Sequence, residues 1–110
     1  MSMDEKEILK AALKHFGAQA QTMMVFEEMA ELQKELCKNA RGKCNTMAIA
    51  EEIADVQIML EQMIILHKCA DHVDAVRKFK LERLKNRLPG GITDSTMAAL
   101  EKMDKKAHGA

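Results

Sequence analysis

The sequence predicts an all-α protein, and three observations lead to this fold class. Apolar residues recur every three or four positions over most of the chain, which is the spacing of one face of an α-helix. Segments containing Gly, Asn or Pro separate these stretches, and residues suited to helix caps stand beside them. No segment shows the alternation of a β-strand. We therefore expect a single-domain helical bundle over residues 1–110, with its core at about 4–89 and a C-terminal extension at 90–110.

The first two helices are predicted from a cap and a break. Asp4 can cap the first helix, with Glu7 at the capping-box position, and this helix runs to about His15. Gly17 loosens or bends the chain after it. A second, long helix is predicted from about Ala18 to Asn39, because this segment is rich in strong helix formers.

The next two helices are predicted in the same way. Gly42 suits a left-handed helix exit, and Asn45 or Thr46 can cap a third helix at about 47–70. Asp71 can cap a fourth helix at about 73–88, which Pro89 and the glycines after it terminate. A short amphipathic helix is expected within residues 93–106.

Composition and charge exclude several classes of protein. Seventeen basic residues balance seventeen acidic ones, so nothing in the overall charge favours a nucleic-acid polymer or a membrane surface as partner. Three cysteines without a CxxC spacing fit a reducing compartment better than a disulfide framework. The most apolar stretch, residues 58–66, is too short to cross a bilayer, and the N-terminal residues do not resemble a signal peptide. We expect a cytoplasmic protein.

Two pairs of acids form the chemically informative pattern. Glu28 and Glu31 lie three residues apart on the second helix, and Glu52 and Asp55 have the same spacing on the third. Both pairs lie on the apolar side of their helices, so four carboxylates converge if the helices pack antiparallel. Burying unpaired carboxylates is costly unless they are protonated or matched by cations. An oxygen-only ligand set favours Mg²⁺, or Mn²⁺, over Zn²⁺. The alternative is a solvated acidic helix face with pairing along the helix.

The fourth helix carries candidate phosphate ligands. Lys80, Arg83 and Arg87 lie in one sector at the edge of its apolar face, where they could clamp phosphates or an acidic partner. The alternative is basic side chains that snorkel near a helix C-terminus, which the helix dipole favours.

The apolar pattern of the third helix predicts self-association. It is apolar around much of its circumference, so more than one of its faces must be covered. One chain of this length offers few helices for this purpose, and a homodimer is the resulting hypothesis. The ten methionines are expected to fill gaps in the core, although a methionine-rich face can also bind a peptide.

With these motifs in order, the chain resembles the MazG-like, all-α nucleoside triphosphate pyrophosphohydrolases, a group related to dimeric dUTPases. The matching features are Glu28-x-x-Glu31, twenty intervening residues, Glu52-x-x-Asp55 and a basic helix that ends before a proline. Three further features are similar to short phage and bacterial members: Phe16-Gly17 ahead of a glutamine-containing segment, Glu-Leu repeats after the first motif and Ile-Ala-Asp-Val within the second. The resemblance covers about residues 16–89.

The resemblance implies a four-helix-bundle-type MazG-like fold with a short C-terminal helix, assembled as a dimer or a dimer of dimers. It implies Mg²⁺-dependent hydrolysis of a nucleoside triphosphate between the α and β phosphates, which yields a nucleoside monophosphate and pyrophosphate. The implied metal ligands are Glu28, Glu31, Glu52 and Asp55. Lys80 and Arg83 match the phosphate-contacting positions of the family, and Arg87 is a further candidate.

The residues around these motifs leave several roles open. Glu27, Glu35 and Glu51 are acids beside the motifs that could orient water or hold the ligands in place. Gln19 and Gln21 could face the nucleotide base or lie on a solvated helix surface. The chain departs from the family in that Asn86 is displaced within the basic segment and Leu88 stands before the proline.

Two rival functions are consistent with the same residues. One is a non-catalytic helical interaction protein, in which acids and bases form interhelical ion pairs and the methionine-rich surface binds a partner helix. The other is a carboxylate-bridged redox metal centre, which predicts iron in the purified protein. The lack of histidines at the spacing of di-iron ligands argues against the redox centre.

Overall fold

The computed structural model describes residues 3–90 and 97–103 of the chain. Four helices form its main elements: α1 (Glu5–Phe16), α2 (Ala18–Ala40), α3 (Thr46–His67) and α4 (Ala70–Arg87). Residues 97–103 are also helical, within the segment where a short C-terminal helix is expected. The described residues contain no β-strand, so the predicted all-α class is confirmed.

The start of α1 follows the predicted cap. The Asp4 carboxylate accepts a hydrogen bond from the Glu7 backbone N–H at 2.8 Å, which satisfies one of the free donors of the first turn. Gly17 ends the helix with φ 93°, a backbone conformation that residues other than glycine rarely adopt. Because α2 begins at the next residue, this one glycine separates two helices and sets the change of direction between them.

The turn between α2 and α3 uses Gly42 as predicted, with φ 101°. Asn45 occupies the position before α3, but its side chain makes no capping hydrogen bond, so the cap predicted for it is not formed. Its amide instead donates to the backbone carbonyl of Glu35 at 2.9 Å and to Glu35 Oε1 at 3.4 Å. Asn45 therefore joins the beginning of α3 to the last turns of α2.

The predicted boundary between α3 and α4 is wrong by about three residues. Helix α3 ends at His67 rather than near Ala70, because Lys68 takes the left-handed conformation with φ 52° and ψ 46°. Backbone hydrogen bonds from Lys68 and Cys69 to carbonyls of the last turn of α3 complete this exit. Helix α4 then begins at Ala70, and Asp71 lies in its first turn instead of preceding it as a cap.

The described residues fall into two compact units, with the boundary between Ala70 and Asp71. The first contains α1, α2 and α3, and the second contains α4 and residues 97–103. The expectation of a single domain stays a prediction.

Within the first unit, α2 and α3 form an antiparallel hairpin. Early α2 faces late α3, since the Thr22 hydroxyl lies 3.7 Å from the Met63 sulfur. Late α2 faces the beginning of α3 through the hydrogen bonds of Asn45 to Glu35. Helix α1 packs against both members of this hairpin. This arrangement brings the middles of α2 and α3, where the acid motifs lie, to the same level.

The interior of the chain is small and polar. Leu9 and Met59 are the buried apolar residues of the part that the structure describes, and Gln21, Asn45 and Gln62 are buried beside them. Most of the methionines that we expected in the core are exposed or half-buried. Several large apolar side chains of α3 are also more than 40 % exposed: Ile53, Ile58 and Leu60. Within the described residues, no helix has the length and apolar character needed to span a membrane.

Candidate metal centre

The antiparallel hairpin brings three of the predicted acids together. One carboxylate oxygen each from Glu28, Glu52 and Asp55 lies within 4.8 Å of the other two. Glu28 comes from the middle of α2, whereas Glu52 and Asp55 come from successive turns of α3 and share one face because of their spacing. We refer to these three residues as the acid cluster. Glu28 and Glu52 are half-buried, and Asp55 is exposed.

Glu31, the fourth predicted ligand, lies outside this group of three. It is exposed and one turn further along α2 than Glu28. Its negative charge nevertheless contributes to the raised pKa of both Glu28 and Glu52, so it belongs to the same electrostatic environment. The hairpin thus gathers three carboxylates closely and places the fourth at the margin.

The pKa of Glu28 is raised above its ordinary value of 4.5. Burial is the largest cause, because it disfavours the charged form. The negative charges of Asp55 and Glu52 add to the effect, as does a hydrogen bond between the carboxyl groups of Glu28 and Asp55. All of these effects raise the pKa, and none of them comes from a positive charge.

Glu52 is perturbed in the same direction. Burial raises its pKa most, followed by the negative charges of Asp55 and Glu31 and, with smaller effects, of Glu35 and Glu51. Its Oε2 atom is buried and has no hydrogen-bond partner among the described residues. Buried acceptors are nearly always satisfied in proteins, so this oxygen lacks a donor or a cation.

Glu35 shows the opposite behaviour a short distance along the same interface. Burial alone would raise its pKa, but hydrogen bonds from Lys38 and Asn45, together with the positive charges of Lys38 and Lys43, lower it. The Lys38 Nζ lies 3.3 Å from Glu35 Oε2. Glu35 is thus a compensated carboxylate. Glu27 and Glu51, the other two neighbouring acids, are exposed.

Two buried glutamines lie on the same interface beyond the acid cluster. Gln21 is 8 % exposed and Gln62 is 4 % exposed, and Gln62 Oε1 has no hydrogen-bond partner in the described part of the chain. The sequence left Gln21 open as a base-facing or a solvated residue, and burial excludes the solvated interpretation. Gln62 was missed, although its position seven residues after Asp55 places it on the same face of α3. Gln19 is exposed.

The predicted phosphate ligands are on α4, in the second unit, and all three are exposed. Two other cations of this helix form ion pairs along it, Lys78 with Asp74 at 3.2 Å and Lys85 with Glu82 at 3.3 Å. Lys80, Arg83 and Arg87 form no such pair within the described residues. These three cations are therefore available to an anionic ligand.

The donor set of the acid cluster suits a hard divalent cation. Its ligand atoms are carboxylate oxygens, and no histidine or cysteine of the described residues belongs to the group. Mg²⁺ commonly binds a few carboxylates and completes its coordination with water and phosphate oxygens, so three acids at a partly exposed site are sufficient. The partnerless Glu52 Oε2 fits this use, because a cation would satisfy it.

Comparisons of the chain with protein-family models, with curated proteins and with solved structures found no significant match.

Proposed function

We propose that this protein is a Mg²⁺-dependent nucleoside triphosphate pyrophosphohydrolase that cleaves its substrate between the α and β phosphates. The observation that carries the proposal is the convergence of Glu28, Glu52 and Asp55 with no compensating cation among the described residues. The motif spacing that resembles the MazG-like enzymes supplies the reaction class. Mn²⁺ is expected to substitute for Mg²⁺, because the two ions accept the same oxygen ligands.

The electrostatics of the acid cluster favour a bound cation over a purely structural role. Three carboxylates in close contact repel one another, and the raised pKa values of Glu28 and Glu52 reflect this repulsion together with burial. A structural cluster would normally contain a lysine or arginine, as the Glu35 site does with Lys38. Exposed acidic groups without an ion are common, so the partnerless Glu52 Oε2 adds the more specific support.

The chain's own residues divide the work of the proposed reaction. Glu28, Glu52 and Asp55 hold the cation, and Glu31 is the fourth carboxylate of the set that the resemblance implies. When bound, Mg²⁺ supplies neutralisation of the phosphate charges and a lowered pKa for the attacking water. The phosphate-binding role that the resemblance implies for Lys80, Arg83 and Arg87 suits their guanidinium and ammonium groups.

We further propose that the protein is a homodimer or a homotetramer with a MazG-like four-helix-bundle-type fold. The supporting observation is the scarcity of buried apolar side chains, since only Leu9 and Met59 are buried in the described residues. So small an interior cannot offset the conformational entropy that about ninety ordered residues lose on folding. Exposed apolar residues on α2 and α3, such as Phe26 at 61 % and Ile58 at 46 %, are available to a second copy.

Sedimentation tests the assembly directly. We expect a dimer or tetramer at micromolar concentration, and dissociation should be accompanied by unfolding, because the separated chain lacks a core. A stable, folded monomer at that concentration would contradict the proposed assembly.

The activity is tested by pyrophosphate release from a panel of ribo- and deoxynucleoside triphosphates with Mg²⁺. The proposal predicts metal-dependent release with at least one substrate, and loss of that release in Glu52→Gln. No release from any substrate, together with no metal-induced increase in Tm, would overturn it.

The second candidate is a non-catalytic helical interaction protein, which the many exposed apolar residues favour. This hypothesis expects ion pairs between helices, whereas each ion pair found within the described residues joins two residues of one helix. Millimolar Mg²⁺ distinguishes the two functions. A carboxylate metal site raises Tm, whereas an interaction surface responds only to ionic strength.

A further inference from the structure

Two helical turns from the acid cluster, the equivalent positions of α2 and α3 carry amide side chains instead of carboxylates. Gln21 lies seven residues before Glu28, and Gln62 lies seven residues after Asp55. Two turns return a residue almost to the same face of a helix. Carboxylate oxygens of Glu28 and Asp55 lie within 4.8 Å of each other across the antiparallel hairpin, so the equal seven-residue spacing brings Gln21 and Gln62, both buried, to one level of the hairpin. We call Gln21 and Gln62 the amide pair.

The amide pair occupies the most buried part of the described structure. Gln62, at 4 % exposed, is less exposed than the buried apolar residues Leu9 and Met59. An amide at such a position is costly unless its donor and acceptor atoms are both bonded. Gln62 Oε1 is buried with no hydrogen-bond partner in the residues described. The site therefore has a buried acceptor whose donor is not among the described residues.

We infer that the amide pair reads the base of the nucleotide whose phosphates bind at the acid cluster. This inference rests on the proposed function and adds the part of the substrate that the acids leave undefined. Every nucleobase carries adjacent donor and acceptor groups on its pairing edge, and a glutamine amide can bond both at once. The buried acceptor of Gln62 would take the N–H, and the amide N–H₂ groups of the pair would meet the neighbouring acceptor.

The spacing suits one nucleotide. Seven residues of α-helix rise about 10 Å, which is the order of the separation between the α phosphate of a nucleotide and the far edge of its base. The buried side chain of Met59 lies between the two levels on α3, where it would pack against the face of the base. Metal, apolar surface and amides thus follow one another in the order in which a nucleotide presents phosphate, sugar and base.

Base selectivity tests the inference in Gln62→Met, which removes the amide and keeps an unbranched side chain of similar volume. We expect kcat/KM for the preferred base, relative to the other bases, to fall by about tenfold or more. Tm and its increase with Mg²⁺ should be preserved, because an apolar side chain relieves the unsatisfied acceptor. Gln57→Met is the matched control, since Gln57 is an exposed glutamine of the same helix. Unchanged selectivity in folded Gln62→Met would overturn the inference.

A second measurement uses the natural chain and does not depend on the folding of a variant. In ¹⁵N-labelled protein with Mg²⁺, the side-chain amide signals of Gln21 and Gln62 should shift on addition of a nucleoside monophosphate. They should not shift with ribose 5-phosphate, which has no base. Equal shifts with both compounds, or none, would overturn the inference, as would equal turnover of all bases by the natural enzyme. Absence of turnover with every triphosphate would overturn the proposed function, and this inference with it.

Discussion

Two levels of the α2–α3 interface use the same type of residue in opposite electrostatic states. At one level, Glu35 accepts hydrogen bonds from Asn45 and forms an ion pair with Lys38, and its pKa is lowered. At the other, Glu28 and Glu52 lie against further acids, and their pKa values are raised. Burial disfavours the charged form at both levels, so neighbouring charges and donors decide the outcome.

The comparison separates a structural carboxylate from a candidate ligand. Glu35 joins the end of α2 to the start of α3 and requires nothing further. Glu52 has a buried oxygen with no partner in the part of the chain that the structure describes, and it experiences a repulsion from neighbouring acids that a cation would relieve. An uncompensated carboxylate is expected at a metal site and is unusual in a purely structural one.

The largest expected effect is the loss of activity in Glu52→Gln. The substitution removes one charge and little volume, and we expect pyrophosphate release to fall by more than about 100-fold. This loss is larger than the loss usually seen when a residue that only hydrogen-bonds to a metal ligand is changed. The fold should persist, which circular dichroism checks. Glu61→Gln is the control, because Glu61 is exposed on the same helix. Near-normal release in Glu52→Gln would exclude the ligand role.

Metal binding should distinguish the two levels by thermal stability. With Mg²⁺ at about one hundred times its Kd, binding adds about 2.7 kcal/mol to the free energy of unfolding, and Tm rises by several degrees. Glu52→Gln should lose this increase, whereas Glu35→Gln should retain most of it. Differential scanning calorimetry at constant ionic strength measures both. An equal response in the two variants would mean that the levels do not differ in metal binding.

The structural level should respond to Asn45→Ala. This variant removes the donor to the Glu35 backbone carbonyl and to its carboxylate, and we expect the free energy of unfolding to fall by about 1–3 kcal/mol. Chemical denaturation provides the measurement. Asn39→Ala is the matched control, because Asn39 is an exposed asparagine with one long hydrogen bond, of 3.3 Å. If Asn45→Ala removed the response to Mg²⁺ and left stability unchanged, the Glu35 level would be the metal-binding one, and its structural assignment would be wrong.

The smallest expected effect is a difference in pH dependence. Glu28 and Glu52 have folded-state pKa values above 4.5, so the stability they contribute to the metal-free protein is present at lower pH and is lost as pH rises through the raised values. Glu35 has a lowered value, so its contribution is present above 4.5 and is lost as pH falls through its folded-state pKa.

Tm measured across pH in EDTA checks this difference. Glu52→Gln should flatten the curve on the high-pH side of 4.5, and Glu35→Gln on the low-pH side. If both variants changed the slope of Tm against pH in the same way, the proposed electrostatic difference between the two levels would be wrong.

Most helix boundaries and the pairing of the acids on each helix could be predicted from the sequence, because both depend on residues that are close together in the chain. The Asp4 cap, the Gly17 break and the extent of α2 are set by residues a few positions apart, and all three were predicted. The spacing of Glu28 from Glu31 and of Glu52 from Asp55 fixes which helix face they share. The end of α3 was mispredicted because a left-handed Lys68 has no local sequence signal.

Tertiary structure alone decided which of these residues have partners. The antiparallel packing of α2 on α3 brings Glu52 to Glu28, supplies Glu35 with Asn45 and buries Gln62, while it leaves Glu31 exposed. Sequence periodicity gives the face of each helix but not the level at which two helices meet. Burial and pKa depend on that level, because hydrogen bonds and screened charges act over only a few ångströms.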